Sequence, residues 1–321
     1  MSDALPLVTI IIPTKPGQEE IPAVTAARQF DYPKDRLEIL VARGKQPSVQ
    51  RNAALRAARG QLIYFLDDDA IAQPDNLRRA LTHFADPQVK MLGGPNLCPS
   101  DAPLLEQVFA VVLTSRLAFG PSRARYDSVG QVRATGEKEL ILCNLMARRD
   151  AVLELGGFNE ALYPNEENAL MDGLQQRGAT LLYDPRFIAH RRPRRTIRAF
   201  CKMVFNYGRG RAEQFRLHPT PGSALNFVPP LFCAYLALAP VLALGLGPVV
   251  FAPLGVYLLL VLLQTLASMA TRGFIRSILA MPLLFACHVL YGLGFWRGLT
   301  TKLRASGAGP PTDVKLDSMP V

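Results

Sequence analysis

The sequence contains little of what builds disulfide frameworks, zinc sites or secretion signals. It has five cysteines in 321 residues and no Cys-x-x-Cys pair, and two of them, Cys233 and Cys287, lie in long apolar runs. This usage is typical of reduced thiols and excludes a disulfide-rich secreted domain. The apolar stretch 5–13 is too short for a signal peptide and reads as a strand. We therefore expect the front of the chain to stay in the cytosol.

Charge is absent from one long stretch, residues 227–270. As a single helix this stretch would extend about 66 Å at 1.5 Å per residue, whereas the hydrocarbon core of a bilayer is about 30 Å thick. It therefore predicts two membrane spans, 227–246 and 249–269. A third apolar stretch, 277–296, either crosses as well or is re-entrant or interfacial. A crossing would place the basic residues that follow it outside the cell, against the usual charge bias.

Acidic residues are few where basic residues are many. The chain carries a formal net charge of +10, and residues 191–216 contain eight arginines and one lysine against the single acid Glu213. Apolar positions at helical spacing make this segment a basic amphipathic helix, which suits an anionic membrane surface. We predict an interfacial connector over 191–224 and a membrane domain over 225–298. The tail 299–321, with its glycines and prolines, is predicted to be disordered.

Strand and helix signals alternate in the first part of the chain. Continuous apolar runs at 8–13, 37–41 and 61–66 fit buried parallel strands. The segments between them have helical spacing, and Gly60 fits the position just after a helix. This order predicts an α/β domain over 1–190, with a mostly parallel sheet and helices on both faces.

Three acids, Asp67, Asp68 and Asp69, follow the third apolar run. Open α/β sheets bind ligands at the carboxyl ends of their strands, and adjacent carboxylates repel one another unless a cation balances them. Asp67 and Asp69 are suited to share a hard cation such as Mg²⁺ or Mn²⁺. The alternative interpretation is a solvated acidic turn.

A second acidic pair, Glu166-Glu167, opens a predicted helix. Neighbouring carboxylates raise the pKa of one member of the pair, and a base poised near neutrality can deprotonate a hydroxyl. Acids in a first helical turn are also favoured by the helix dipole alone. The pair by itself therefore supports either interpretation.

Together these motifs resemble the family 2 glycosyltransferases, which are inverting enzymes with the GT-A fold. The resemblance covers residues 7–216 and implies a Rossmann-like sheet, a nucleotide-sugar donor and a divalent metal, Mg²⁺ or Mn²⁺. It rests on segments in this order: 8–14 (Val-Thr-Ile-Ile-Ile-Pro-Thr), 50–54 (Gln-Arg-Asn-Ala-Ala), 63–69 (Ile-Tyr-Phe-Leu-Asp-Asp-Asp), 156–160 (Gly-Gly-Phe-Asn-Glu), 166–167 (Glu-Glu) and His190.

The resemblance implies a role for each matching residue. Asp67 and Asp69 match the Asp-x-Asp motif that holds the metal and the donor diphosphate. His190 falls where some members have a third metal ligand, and a buried hydrogen-bonding histidine is the alternative. Glu166-Glu167 matches the family's acidic pair, whose second member is the catalytic base, here Glu167. The other residues that the resemblance places at the donor are Pro13, Thr14, Arg51, Asn52 and Asp68.

Two stretches depart from the family pattern. Members commonly have an aspartate that reads the nucleobase after the second strand, but residues 41–44 are Val-Ala-Arg-Gly. Arg43 is the donor contact that we expect there instead. The Gln-x-x-Arg-Trp motif of processive synthases is absent, and residues 206–211 stand in its place. There Arg209 and Arg211 either grip the diphosphate or flank a glycine-permitted break before the membrane.

The implied protein is a multi-pass enzyme of the inner membrane with its catalytic domain in the cytoplasm. It would move a sugar from a nucleotide-diphosphate sugar to a lipid-linked acceptor, such as a polyprenyl-diphosphate saccharide in cell-envelope glycan synthesis. One alternative is direct loading of polyprenyl phosphate, for which Glu167 matters less. Another is an inactive membrane scaffold, which the retained acids oppose. Nucleic-acid binding by the basic segment is not expected, because that segment lies beside the membrane.

Overall fold

The structure is a computed structural model that describes residues 5–162, 165–217, 219, 221–303 and 313–321. It divides into two compact units. An α/β unit takes the described residues within 1–99, 124–192 and 304–321, and a helical unit takes those within 100–123 and 193–303. The helical unit thus includes a segment, 100–123, that lies inside the predicted catalytic domain of residues 1–190.

The strands of the α/β unit include the three predicted apolar runs and several shorter strands. They are β1 (Val8–Thr14), β2 (Leu37–Arg43), β3 (Leu62–Leu66), β4 (Ile71–Ala72), β5 (Val89–Gly93), β6 (Asn96–Leu97), β7 (Arg133–Ala134), β8 (Asn144–Arg148), β9 (Thr180–Tyr183), β10 (Ala189–His190) and β11 (Lys315–Met319). Among the described residues, one sheet has the strand order β11-β2-β1-β3-β8-β5-β9-β7, and a second has the order β4-β10-β6.

The large sheet is mixed. β1 pairs in parallel with β2 and β3, and β5 pairs in parallel with β9. β8 runs antiparallel between β3 and β5. The predicted α/β class is confirmed, and the β2-β1-β3 part has the predicted parallel order. β8 breaks that order because it runs antiparallel to both of its neighbours, and β11 and β7 also pair antiparallel, so the sheet is less parallel than predicted.

Helices cover both faces of this sheet. They are α1 (Pro22–Arg28), α2 (Pro47–Ala57), α3 (Asn76–Phe84), α6 (Arg149–Glu154) and α7 (Glu166–Gln176). Every residue of β1 is buried, as its unbroken apolar run predicts. Ile10 belongs to one hydrophobic cluster with Val24 of α1, and Ile11 belongs to the other with Leu55 of α2. Successive side chains of a strand point to opposite faces, so β1 contributes to both clusters.

The prediction of a disordered tail over 299–321 is wrong at its end. Lys315–Met319 forms β11, which pairs antiparallel with β2, with Met319 opposite Ile39 and Lys315 opposite Arg43. The composition of the tail indicated too little burial for order, but β2 offers an open edge whose backbone groups need partners. The residues between the end of the helical unit and this strand, 304–312, lie outside the described residues.

The helical unit contains the predicted membrane segments as helices. Its elements are α4 (Leu104–Leu113), α5 (Arg116–Phe119), α8 (Ile197–Leu217), α9 (Val228–Leu246), α10 (Ala252–Arg272) and α11 (Phe274–Thr300). Within the described residues, three helical stretches are long and apolar enough to cross a bilayer: Ser223–Leu246, Pro248–Arg272 and Phe274–Thr300. The bent pair Leu104–Leu113 and Arg116–Arg125 would make a fourth if it were one span.

A helix break within residues 206–211 was one of two predicted interpretations, and the structure has an unbroken α8 there. The glycines allow close packing instead. A Cβ atom added at Gly208 would lie 2.0 Å from the carbonyl oxygen of Tyr291, and one added at Gly294 would lie 2.0 Å from that of Phe205. Small residues at such contacts let two helix backbones approach each other. Composition alone could not distinguish these two uses of glycine.

We expect Gly208→Val to destabilise the helical unit. The new side chain would force α8 away from α11, and overpacking of this kind costs about 1–3 kcal/mol or more. Gly255→Val in α10 is the matched control, because no atom lies within 4 Å of a Cβ added there. Thermal unfolding in detergent should show a lower midpoint for the first variant alone. Equal midpoints for the two variants would contradict the close packing.

Candidate functional site

The three acids lie where the buried strand β3 ends, as predicted. Two arginines hold the outer carboxylates. Arg51 Nη2 donates to Asp67 Oδ1 at 2.9 Å, and Arg191 Nη1 contacts Asp67 Oδ2 at 3.0 Å. Arg191 Nε donates to Asp69 Oδ1 at 2.5 Å. A positive group therefore already lies between the two carboxylates that we expected to share a cation.

The middle acid, Asp68, faces the end of β1. Thr14 Oγ1 donates to its Oδ2 at 3.3 Å. Burial raises the pKa of Asp68 above its ordinary value, and the neighbouring Asp69 and Asp67 carboxylates raise it further. Thr14 and Asp68, which the resemblance places at the donor, are therefore in direct contact.

The carboxylates of Asp67 and Asp69 fit a divalent cation whose other ligands come from phosphate groups and water. Mg²⁺ is commonly bound through one or two carboxylates, with the remaining ligands from phosphates and water. Within the part of the chain that the structure describes, no group of three or more His, Cys, Asp and Glu side chains could hold a metal. His190 lies in β10 and its metal role stays a prediction. The next residue, Arg191, is the one that contacts both carboxylates.

Sequence reasoning assigned Arg191 to the basic connector and missed its place in this site. Burial alone would lower the pKa of Arg191, but the charges of Asp67 and Asp69 help to raise it above its ordinary value. The buried thiol of Cys143 also neighbours Arg191, and burial raises the pKa of that thiol to about 12, so it stays protonated. The available signal was position: Arg191 directly follows a predicted extended segment that ends at His190.

Arg51 connects the two acidic motifs. Its Nη1 donates to Glu166 Oε1 at 3.2 Å, while its Nη2 contacts Asp67. The Arg51 side chain is 7% exposed and that of Glu166 is 4% exposed. The buried guanidinium of Arg51 thus joins the acids at 67–69 to the acidic pair at 166–167. A buried charge of this kind needs its partners, because removing one leaves the other uncompensated.

Asn52 has a positioning role beside this arginine. Its Nδ2 donates to the Phe158 carbonyl at 2.8 Å, and its Oδ1 accepts from the Phe158 amide at 2.8 Å. The preceding Gly157 has φ +83° and a Cβ added there would lie 2.4 Å from Asn52 Oδ1. Only glycine fits this close approach. Asn52 therefore fixes the 156–160 turn against α2, and its predicted contact with a donor stays a prediction.

The acidic pair begins α7 after an unusual backbone. Asn165 has φ 109°, a conformation that residues other than glycine seldom adopt. The pKa of Glu166 is raised to about 8, because burial and the charge of Glu167 raise it more than Arg51 lowers it. Glu166 Oε2 is buried without a hydrogen-bond partner among the described residues. Glu167 is only half-buried. The two acids therefore differ: Glu166 is held largely protonated and Glu167 is reachable.

The remaining predicted donor residues lie in two places. Thr14 ends β1, and its carbonyl accepts a hydrogen bond from Gln50 Nε2. Gln50 Nε2 also donates to the Ala42 carbonyl and so joins the carboxyl ends of β1 and β2. Pro13 is part of the buried end of β1, and Arg43 ends β2. Arg209 and Arg211 belong instead to α8 of the helical unit. Arg209 Nε lies 3.8 Å from Glu213 and Arg211 Nη1 donates to Gln214, and their predicted grip on a diphosphate stays a prediction.

Comparison with known families identifies residues 2–200 with the profile described as "Glycosyltransferase like family 2". The chain is 25% identical over 186 residues to the Pre-mycofactocin glycosyltransferase of Mycobacterium tuberculosis, with 54% of this chain and 36% of that protein covered. It is 27% identical over 199 residues to the Succinoglycan biosynthesis protein ExoA of Rhizobium meliloti, with 60% and 56% covered. The matches thus span about a third to just over half of these relatives.

Among solved structures, the mannosyltransferase PcManGT of Pyrobaculum calidifontis, in complex with GDP-Man and Mn²⁺, is similar in fold. The match has a TM-score of 0.52 and 19% identity, and covers 89% of this chain and 87% of that one. At this identity the match supports the fold alone, and it agrees with the predicted GT-A class.

Proposed function

Because the chain belongs to glycosyltransferase-like family 2, we propose that it transfers a sugar from a nucleotide-diphosphate sugar to an acceptor hydroxyl, with inversion at the anomeric carbon. One observation carries this proposal: Arg51 contacts both Asp67 and Glu166. The acids suited to a donor diphosphate and the acids suited to proton transfer thus form one cluster at the carboxyl edge of the sheet. Neither motif has this meaning when taken alone.

The chain's own groups account for the proton and for the leaving group. Glu167 takes the proton of the acceptor hydroxyl as the acceptor oxygen forms its bond to the anomeric carbon. The bond from that carbon to the diphosphate breaks, and the electron pair leaves with the diphosphate. Arg191 lies beside Asp67 and Asp69 and is placed to interact with that leaving group. A Mg²⁺ or Mn²⁺ ion held by the two aspartates would supply neutralisation of the diphosphate charge.

The apolar helices support a lipid-linked acceptor. A helical unit with three stretches able to cross a bilayer would hold the enzyme where a polyprenyl-diphosphate saccharide is available. One curated relative is named for succinoglycan biosynthesis, which agrees with a role in cell-envelope glycan synthesis. The proposed location is the inner membrane with the α/β unit in the cytoplasm. A polyprenyl phosphate acceptor is the alternative, and it is already an anion.

The test is donor turnover in purified membranes with a panel of nucleotide sugars, at graded Mg²⁺ or Mn²⁺. We expect one donor to be used and chelation to stop its use. Asp69→Asn should raise the metal concentration for half-maximal turnover by roughly tenfold or more, because ligand charge sets affinity for hard cations. Asp35→Asn is the matched control, since Asp35 is an exposed surface acid. A folded wild type that uses no donor with any lipid extract would contradict the proposal.

A further inference from the structure

The C-terminal strand β11 begins at the carboxyl ends of the parallel strands, where the proposed donor binds. The strand order is β11-β2-β1-β3, and the acids follow β3. Neighbouring strands lie about 4.8 Å apart, so β11 and β3 are separated by roughly 14 Å. A nucleoside diphosphate with its phosphates at Asp67 and Asp69 can therefore extend across the ends of β1 and β2 towards β11. The first residue of β11, Lys315, lies opposite Arg43 at that edge.

A cavity of about 710 Å³ opens there. Its walls come from residues 16–19 after β1, from Arg43 at the end of β2, and from residues of the C-terminal segment. Small-molecule sites in proteins are commonly about 300–1,000 Å³. The cavity therefore has room for a nucleoside, and one of its walls is formed by residues more than 260 positions from the others.

Two charged side chains in this wall form a close pair. Arg43 Nε donates to Asp317 Oδ2 at 2.6 Å, and Arg43 Nη1 donates to the Gln18 carbonyl at 2.6 Å. The two side chains are 19% and 23% exposed. The hydrogen bond from Arg43 keeps the pKa of Asp317 below its ordinary value, so the carboxylate stays charged. The cavity lining thus presents a fixed hydrogen-bond donor, Arg43, beside a fixed hydrogen-bond acceptor, Asp317.

The strand is anchored on the side that faces the core. Met319 packs against the hydrophobic cluster that includes Ile10, and Arg28 Nε donates to the Pro320 carbonyl at 3.0 Å. Lys315, Asp317 and Met319 alternate with Leu316 and Ser318, which are exposed on the other face. Asp317 therefore has its position set by the sheet and not by a free tail.

We propose that β11 completes the nucleobase pocket and that Arg43 and Asp317 discriminate among nucleobases. This inference rests on the proposed function. Guanidinium N–H groups donate to ring carbonyl oxygens, and a carboxylate accepts from a ring N–H. The pair therefore suits bases that carry a ring N–H next to a carbonyl, namely uracil, thymine and guanine. Adenine and cytosine lack that ring N–H, and Asp317 supplies from another strand the acid that the end of β2 lacks.

The experiment is calorimetric titration of the full chain in detergent with UDP, GDP, CDP and ADP in the presence of Mg²⁺. The wild type should bind UDP or GDP at least roughly tenfold more tightly than CDP and ADP, because a site built for a hydrogen bond rejects analogues that lack it. Asp317→Asn and Arg43→Gln should each reduce this preference by roughly tenfold. Ser318→Ala, on the opposite face of β11, should leave it unchanged.

Several outcomes would overturn the inference. An unchanged base preference in both variants would remove the assigned role of the pair and leave the proposed function standing. An equal loss of all four nucleotides in both variants would mean that the pair supports the cavity without selecting the base. A folded wild type that binds no nucleoside diphosphate would contradict the inference and the proposed function together.

Discussion

Replacing Glu167 by glutamine should reduce transfer to a hydroxyl acceptor by about 10²–10⁴-fold, the usual contribution of a positioned general base. The amide cannot accept the proton, while its size and position are retained. Glu166→Gln should cost no more than roughly tenfold, because burial and the charge of Glu167 raise the pKa of Glu166 and keep it largely protonated at neutral pH. Turnover number at saturating donor is the measurement, since donor binding should change little in either variant.

The pair of variants also separates the two acceptor classes. An acceptor phosphate is already an anion and has no proton to lose, so a small effect of Glu167→Gln on an active enzyme would indicate polyprenyl phosphate. A large effect of Glu166→Gln with a small one of Glu167→Gln would reverse the assignment. In that case the wild-type rate should rise with pH towards about 8, the value to which the pKa of Glu166 is raised.

Replacing Arg51 by methionine should lower the free energy of unfolding by about 3–5 kcal/mol at pH 9, the cost of leaving a buried charge without its partner. The effect should be smaller at pH 6. Glu166 has a raised pKa in the folded state, so its contribution to stability is present below its ordinary value near 4.5 and is lost as the pH rises through about 8. Above that value Glu166 is charged and depends on Arg51.

Thermal unfolding of the full chain in detergent measures this effect at both pH values. Unfolding is monitored through the proteolysis of the α/β unit. Glu166→Gln should make stability less dependent on pH. In the double variant, Arg51→Met should cost less than it does alone, with a coupling energy of about 1–3 kcal/mol. Additive effects of the two substitutions at pH 9 would show that the contact at 3.2 Å carries no net energy.

The sequence was most informative where one short segment determines its own surroundings. The runs at 8–13, 37–41 and 61–66 became β1, β2 and β3, because unbroken apolar strands require burial on both faces. The placement of Asp67–69 at the edge of the sheet followed from where the third run ends. Apolar runs, helical spacing and the glycines that end helices predict local elements of this kind. The family match confirms the fold class that they predicted.

The features that sequence reasoning missed depend on pairs that are remote in the chain. Arg191 contacts Asp69 across 122 positions, and Arg43 contacts Asp317 across 274. A local pattern describes each of these residues as solvated charge, because the partner is not in the window. The sequence Lys315–Met319 has few apolar residues, and its strand forms because β2 has a free edge.

The pairing of β11 with β2 has a consequence for the number of membrane crossings. The chain leaves the α/β unit after residue 192 and re-enters it for β11. We expect a compact unit to lie wholly on one side of the bilayer, which places both points on that side. Only helices cross lipid in such a chain, and a return to the starting side requires an even number of crossings. We therefore expect that the three candidate stretches do not all span. The segment 100–123 also leaves and re-enters the same unit, so the same parity argues against a single crossing there.

We expect α11 to be the stretch that does not span, although it packs against α9 as well as α8, with Trp296 Nε1 donating to the Pro230 carbonyl. Its residues Gly294 and Gly298 lie against Phe205 and Arg209 of the basic helix α8, and Arg216 donates to the Thr301 carbonyl at 2.6 Å. If α8 lies at the membrane interface, as its basic amphipathic pattern predicts, a helix packed along it is expected at a similar depth. An impermeant thiol reagent should then label a cysteine placed at Lys302 from the cytoplasmic side only. On this expectation the membrane anchor is a two-helix hairpin, α9 and α10.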